Sequence, residues 1–342
     1  MDRLHLESAV SKLRNIPRLN IGFYPTPIEE LTRFREAIGG GPRLFIKRDD
    51  YTGAGMGGNK VRKLEYLLAQ AIAEGADTAI TIGSEKSNHA RVTAALCARL
   101  GLRCILVLNR ATQSDNSLKP ASIAVDEIVG AEIHMVADRK DRVPTLVSIA
   151  ERLRSEGKRV VEIPLGASTP LGALGYVRAV EEAATQLKAM DIKPDYIFHS
   201  SSSGGTQAGL LVGSELFGLE ATQIIGVSPD DPAISIAREV RKIAVSAGEM
   251  LGLTDAVLRE DAVVLDQFVG KGYSIPSNQS AAALGLLAQT EGILLDPIYT
   301  AKAMAAMIDW IKRGRISPKE TAIFWHTGGQ LAMFYWPPVK TL

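Results

Sequence analysis

Short apolar runs alternate along the chain with longer stretches whose apolar positions recur every three or four residues. The runs RLFIKR (43–48), TAITIG (78–83), RCILVL (103–108), AEIHMV (131–136), RVVEIP (159–164), YIFHS (196–200), QIIGVS (223–228) and TAIFWH (321–326) read as strands. Helical spacing fills 60–74, 88–100, 118–129, 145–156, 172–190, 206–217, 232–251, 279–290 and 300–313. Strands that are apolar at nearly every residue, separated by helices, predict parallel sheets covered on both faces. Residues 253–278 mix the two signals, and no fixed-period repeat or low-complexity tract breaks the alternation.

A chain of 342 residues is long for a single core, so two domains are expected. Hydrophobic residues at 46% and charged residues at 23% fit a soluble globular protein, and a formal net charge of +1 gives no basis for a nucleic-acid or membrane partner. Cys97 and Cys104 have no metal-ligand spacing and read as two reduced, packed thiols. The N-terminal stretch carries acids and no apolar core of a secretory signal, and no run approaches a membrane span, so a cytoplasmic location is expected.

Three turns carry the candidate chemistry. In GMGGNKVRKLEYLLAQA (55–71), glycines and Asn59, at an expected N-cap, precede Lys60 in the first turn of an amphipathic helix whose apolar face is Val61, Leu64, Leu68 and Ile72. A cation is poorly placed among free N–H groups at the positive end of a helix, whereas a neutral amine is placed well. The glycines let the backbone pass close to something flat or bulky, although a solvated lysine after a flexible turn fits the same residues. In HSSSSGGTQAGLLVG (199–213), hydroxyls and free N–H groups at a helix start make an anion cradle suited to a phosphate monoester, without a Walker lysine or a dinucleotide glycine pattern. In GSEKSNHARVTAALCARLG (83–101), Ser87 and Asn88 are cap residues, and the same helix start can hold a carboxylate. All three leave the carboxyl ends of strands, the edge at which open α/β sheets bind ligands.

The segments MGGNKVRKLEYL, SNHARVTAA, GALGYV, SGGTQAG, GILLDPIYTAKAM and FWHTGG, in this order between about residues 20 and 335, resemble the pyridoxal-phosphate enzymes of the tryptophan-synthase-β fold type. More narrowly they are similar to the branch of D-cysteine desulfhydrase and 1-aminocyclopropane-1-carboxylate deaminase. The resemblance implies two open, twisted, mostly parallel sheets flanked by helices, with pyridoxal 5'-phosphate in the cleft between domains. The smaller domain is expected at 60–168, and the larger one at 1–59 with 169–342. By the same resemblance Lys60 is the lysine that forms the Schiff base and takes the Cα proton. Asn59 lies beside the ring, Ser202, Ser203, Gly204, Gly205 and Thr206 form the phosphate cup, and Ser87, Asn88 and His89 grip the substrate carboxylate. Tyr273 and Tyr299 line the substrate face, with Ser87 and Tyr273 as candidate proton relays.

Two positions bear on the substrate. The deaminases carry a glutamate near the pyridine nitrogen where this chain has Thr300, and a hydroxyl deepens the electron sink less, which favours β-elimination over cyclopropane opening. Thr300 also suits a helix start. Lys86 replaces the family's usual glutamine; it is either a solvated charge beside Glu85 or a second cation that selects an acidic substrate such as L-cysteate. The expectation is a deaminating lyase that gives pyruvate and ammonia from a small amino acid, most like a D-cysteine desulfhydrase. Alternatives are an L-cysteate sulfo-lyase, an aminocyclopropane-carboxylate deaminase, and a non-catalytic small-molecule-binding α/β protein. A nucleotide-dependent oxidoreductase is disfavoured by the missing dinucleotide fingerprint. A homodimer is expected from symmetry preferences and from the resemblance.

Overall fold

The computed structural model describes residues 3–110, 121–254 and 262–335. Ten strands run in chain order: β1 (Ile28–Glu30), β2 (Arg43–Lys47), β3 (Thr78–Ser84), β4 (Arg103–Asn109), β5 (Glu132–Val136), β6 (Val160–Ile163), β7 (Tyr196–Ser200), β8 (Gln223–Val227), β9 (Val263–Leu265) and β10 (Thr321–Trp325). The helices are α1 (Arg3–Asn15), α2 (Thr32–Ala37), α3 (Lys60–Ala73), α4 (Asn88–Leu100), α5 (Ala121–Ile128), α6 (Arg142–Ser155), α7 (Pro170–Ala189), α8 (Gly205–Leu216), α9 (Ala233–Met250), α10 (Asn278–Glu291) and α11 (Thr300–Lys312).

The strands form two sheets, β1-β2-β10-β7-β8-β9 and β5-β4-β3-β6, and every pair is parallel except the edge pair β1–β2. The fold is therefore α/β with two mainly parallel sheets flanked by helices, as the alternation predicts. Period-two alternation explains how each sheet buries both faces. In the larger sheet Leu44, Ile46, Phe198 and Phe324 face a core shared with α10 and α11, while Phe45, Ile197, Ile323 and Trp325 face α7 and α8. In the smaller sheet Ala79, Leu106 and Leu108 pack against Val61, Leu64 and Leu68 of α3 and Val92 and Leu96 of α4. Ile80, Ile82, Ile105 and Val107 pack against Leu146, Ile149 and Leu153 of α6.

Some details differ from the sequence pattern. Ile72, assigned to the apolar face of α3, is 40% exposed, because the sheet covers only the first three turns of that face. Helix α1 leaves little trace in the sequence: only Ala9 and Leu13 of its stripe are buried, against α8 and α9. The three-residue strands β1 and β9 are too short to show a period. The start of the helix expected at 118–129 lies outside the described residues, as does 255–261 of the mixed stretch. Cys97 and Cys104 are free and buried, and the neighbouring Cys97 thiol together with burial raises the Cys104 thiol well above its ordinary pKa.

Candidate active site

A cavity of ≈ 240 Å³ lies where the carboxyl ends of parallel strands from both sheets converge. Ser84 ends β3, Asn109 ends β4 and Ser200 ends β7; Gly166, Asp230 and Thr327 follow β6, β8 and β10.

Lys60 opens α3 and faces this cavity. The turn before it is fixed by protein contacts. Gly58 N donates to Thr52 Oγ1, and Thr52 Oγ1 donates to Gly58 O, each at 2.8 Å; Asn59 N donates to Thr327 O at 3.0 Å. A Cβ on Gly57 (φ +69°) would sit 2.2 Å from Asp50 O, and one on Gly58 (φ +110°) 2.9 Å from Thr327 O. The close neighbour that requires these glycines is therefore the chain's own backbone. Asn59 does not cap α3 through its side chain, contrary to expectation. Its Nδ2 instead donates to Thr206 Oγ1 at 2.9 Å, tying the start of α3 to the start of α8.

Burial lowers the Lys60 pKa to about 8, against a hydrogen bond with Lys63 that acts in the other direction. Lys63, fully buried, is held well below its ordinary value by burial and then by the charge of Lys60; it donates to Gly166 O and Ser168 Oγ, both at 3.0 Å. Neither amine pairs with a carboxylate among the described residues. A substantial neutral fraction makes Lys60 a competent nucleophile and base near neutral pH.

The cup at the start of α8 is a close fit for a phosphate. Gly204, at φ +80°, is the N-cap, and the first N–H groups of α8 have no intrahelical partner. Thr206 Oγ1 accepts from Asn59, which leaves its own proton to donate. Ser203 Oγ is 2.7 Å from Ser168 Oγ, which accepts from Gly205 N at 3.2 Å. A Cβ on Gly166 would lie 2.1 Å from Ser203 Oγ, so the cradle admits no side chain there. The Ser200 and Ser201 hydroxyls line the cavity, buried without a protein partner. Orphaned hydroxyls beside a helix start and a lysine with a lowered pKa are the donor set that a phosphorylated aldehyde needs. Ser202, Ser203, Gly204 and Thr206 line the cavity; Gly205 stands one position behind the lining.

The opposite wall is the start of α4. Ser87 caps it, its Oγ accepting from Ala90 N at 3.1 Å, so the hydroxyl proton is free for a ligand. Asn88 Oδ1 accepts from Arg91 at 2.9 Å, leaving its amide donor available. His89 behaves differently from a carboxylate grip. Thr81 Oγ1 gives its proton to Ile163 O at 2.7 Å, so it must accept from His89 Nε2 at 2.8 Å. Nδ1 is then a buried acceptor without a donor, and burial, with Lys60 and Lys63 adding to it, keeps the ring neutral. His89 therefore offers no cation, and a carboxylate here meets Ser87, Asn88 and the α4 N–H groups.

Tyr299 OH lies 2.5 Å from Tyr273 OH, which lies 3.2 Å from Ser84 Oγ, giving a hydroxyl chain along one side of the cavity. Burial raises the pKa of both phenols, so they remain protonated donors. Besides Gly205, two assigned residues do not line the cavity. Thr300 is fully buried, with its Oγ1 donating to Asp296 Oδ2 and accepting from Asp296 N, both at 2.7 Å; the start of α11 has claimed it. The Lys86 ammonium lies 3.4 Å from Ser274 Oγ. Residues that the sequence motifs did not single out complete the wall: Arg139, Arg142, Asp230 and Thr327, each from a different strand-following loop or from the start of α6.

The chain matches the family model described as "Pyridoxal-phosphate dependent enzyme" over residues 19–328. It is 38% identical over 332 residues to the D-cysteine desulfhydrase of Klebsiella pneumoniae (strain 342), covering 96% of this chain and 99% of that one. To the D-cysteine desulfhydrase of Serratia proteamaculans (strain 568) it is 37% identical over 329 residues, covering 96% and 98%. A solved structure described as an ACC deaminase homologue shares 35% identity and a TM-score of 0.86 over 97% of each chain. A threonine deaminase of Solanum lycopersicum, at 18% identity and TM-score 0.68 over 96% of this chain and 85% of that one, shares the fold.

Proposed function

Because the chain belongs to the pyridoxal-phosphate-dependent enzymes, we propose that it is a lyase that eliminates a β-substituent from a small amino acid, releasing pyruvate and ammonia, in the manner of a D-cysteine desulfhydrase. Its cofactor is pyridoxal phosphate. The observation that carries the reading is a near-full-length likeness to D-cysteine desulfhydrases together with a partly neutral amine at the mouth of a phosphate cup. Bound pyridoxal phosphate supplies an aldehyde for covalent capture of an amine and a conjugated ring that accepts the electron pair left at Cα.

The protein's own groups supply the rest. Lys60 Nζ would hold the cofactor and, as a free amine, would take the substrate's Cα proton. Ser203, Thr206 and the α8 N–H groups would bind the phosphate, Ser202 and Gly204 would shape the cup, and Asn59, which donates to Thr206 Oγ1, would contact the cofactor. Ser87, Asn88 and the α4 N–H groups hold the substrate carboxylate, while neutral His89 shapes that wall. Tyr273, relayed through Tyr299 and Ser84, donates a proton to the departing substituent. The bond from Cβ to that substituent breaks with its electron pair leaving on the substituent, and the unsaturated remainder hydrolyses to pyruvate and ammonia. Asp230, the single carboxylate among the described lining residues, is met by Arg139 at 3.7 Å.

The smaller domain is assigned to 60–168 because its four strands lie wholly inside that range. A cytoplasmic homodimer is the assembly we favour on general symmetry grounds; no described helix is long and apolar enough to cross a membrane. The functional test is a comparison of kcat/KM on one preparation. D-cysteine and β-chloro-D-alanine are expected to give pyruvate, with little 2-oxobutyrate from 1-aminocyclopropane-1-carboxylate. Preference for the cyclopropane substrate, or no keto acid from any of them, defeats the reading.

A further inference from the structure

Lys302, the third residue of α11, is a fully buried cation that the chemistry above leaves unused. Its Nζ donates to Pro229 O at 2.9 Å, Val269 O at 2.8 Å and Gly272 O at 2.9 Å. Three carbonyls need three N–H groups, which only the protonated amine has, so the group is an ammonium with every donor used. Among the described residues no carboxylate bonds to it. Asp230 and Asp296 support its charge through space, against burial that lowers its pKa to about 8. Backbone carbonyls gathered round a cation replace its water shell, as they do for a monovalent metal ion.

The two loops held in this way both reach the cavity. Pro229 precedes Asp230, and Gly272 precedes Tyr273, each of them in the cavity wall. Tyr299, the second phenol of that wall, stands at the N-cap of α11, three residues before Lys302. One helix therefore presents one phenol directly and draws in the loop that carries the other. That loop turns through Gly270 at φ +69° and Gly272 at φ +134°, and Ser274 stands at φ +63°, a conformation that a serine keeps only where its surroundings hold it. The 2.5 Å contact between the Tyr273 and Tyr299 hydroxyls is thus supported from behind by the ammonium.

We infer that Lys302 is a positioning residue for proton donation: its ammonium, acting as a built-in monovalent cation, places Tyr273 against Tyr299 and the departing substituent. This deepens the β-elimination reading and rests on it. Lys302 stands outside the cavity lining and has no donor left for a ligand, so it acts through the loops it gathers. The consequence depends on the substituent. A sulfur that departs from Cβ with its electron pair gains from a proton, whereas chloride leaves without one. Misplacing Tyr273 should therefore slow D-cysteine more than β-chloro-D-alanine, and a general loosening of the fold should slow both alike.

The test uses the holoenzyme in buffers whose cation is either potassium or tetramethylammonium, the latter too large for the place that Nζ occupies. Wild type should turn over equally in both, because Lys302 already fills that place. Lys302→Ala should keep the visible absorption of lysine-bound cofactor, since Lys302 makes no hydrogen bond to Lys60 or to the phosphate cup. Its ratio of kcat for D-cysteine to kcat for β-chloro-D-alanine should fall about 10- to 100-fold, within what a positioned acid contributes. Potassium should restore part of that ratio, and tetramethylammonium none. Lys302→Gln, which keeps two donors, should lie between Lys302→Ala and wild type. Adding Lys302→Ala to Tyr273→Phe should change the ratio little further, because the two residues act as one unit. An unchanged ratio in Lys302→Ala overturns the inference, as do an equal loss on both substrates, a loss that potassium does not touch, and a full further loss in the Tyr273→Phe background. A wild type that needs potassium overturns it too, and that comparison stands even if the variants do not fold. Pyruvate from both substrates in wild type keeps the lyase reading intact when the Lys302 inference fails, and its absence marks failure of the lyase reading instead.

Discussion

Helix α3 places two kinds of buried cation within four residues of each other. On one side Lys60 and Lys63 pair with no carboxylate among the described residues, and burial lowers both pKa values. On the other side Arg62 Nη2 lies 2.7 Å from Asp49 and Arg62 Nη1 3.0 Å from Glu182, which also accepts from Lys47. Asp49 further accepts from Tyr176 OH at 2.7 Å and Trp325 Nε1 at 2.8 Å. Burial opposes the Arg62 charge, yet Asp49 and Glu182 overcome it and raise its pKa further. Depth alone therefore does not decide whether a cation is chemical or structural. The presence of a carboxylate does. One side of the helix is built to lose a proton, and the other to keep its charge in place and hold the loop that carries Asp49 under the active-site turn.

Substituting a member of each group should separate the two roles. The largest effect is expected on the unpaired side. Lys60→Ala should lose the visible absorption of lysine-bound cofactor, and kcat should fall by at least about 10²–10⁴-fold, the contribution of a positioned base alone. Its urea midpoint should stay close to wild type, since no ion pair is broken. Reducible cofactor with normal turnover in Lys60→Ala would falsify the assignment. On the paired side, Asp49→Asn removes one of the two carboxylates that meet Arg62, leaving Glu182, and should cost about 1.5–3 kcal/mol in urea denaturation.

The same residue gives a pH signature. Burial works to raise the Asp49 pKa, but Arg62 and Lys47 bring it down to about 2, from an ordinary value of 3.8. A carboxylate depressed in the folded state stabilises above its unfolded pKa, and this contribution is lost as pH falls from about 4 toward 2; it is worth roughly 2 kcal/mol. The acid limb should flatten in Asp49→Asn, and an unaltered limb would mean that the network does not hold this charge. The smallest effect sharpens the other side. A Lys60 amine with a pKa of about 8 is mostly protonated below that pH, so capture of pyridoxal phosphate by the apoprotein should quicken nearly tenfold per unit up to pH 8 and then level off. A flat profile between pH 6 and 9 would show that burial does not neutralise it.

What the sequence made legible follows from range. The limits of α4 and β7 coincide with the apolar patterns at 88–100 and 196–200, because both elements bury a clean stripe between strong turn signals. The cup and the Lys60 turn were readable for the same reason, each being one strand–turn–helix written in consecutive residues. Arg142 and Asp230 were not, since only the sheet order brings their loops together. Thr300 shows a local competitor winning: Asp296, four residues back, takes the hydroxyl and also accepts from the Ile298, Tyr299 and Thr300 N–H groups at 2.7–2.8 Å. Lys86 sits where the family carries a neutral residue, but the side chain ends at Ser274 on the loop over the site. A charge in a motif does not say which way its four-carbon stem turns.

The position of β10 between β2 and β7 has a consequence for biosynthesis. As the polypeptide leaves the ribosome, β2 and β7 emerge before their shared neighbour, with facing edges that have nothing to bond, and the strand that joins them ends at Trp325. Until then the turn before Lys60 lacks Thr327, its acceptor for Asn59 N, so a translating chain has no finished place for its vitamin-derived partner. Cofactor loading is thereby a late event, and the growing chain passes through a stage with open strand edges on which chaperones act.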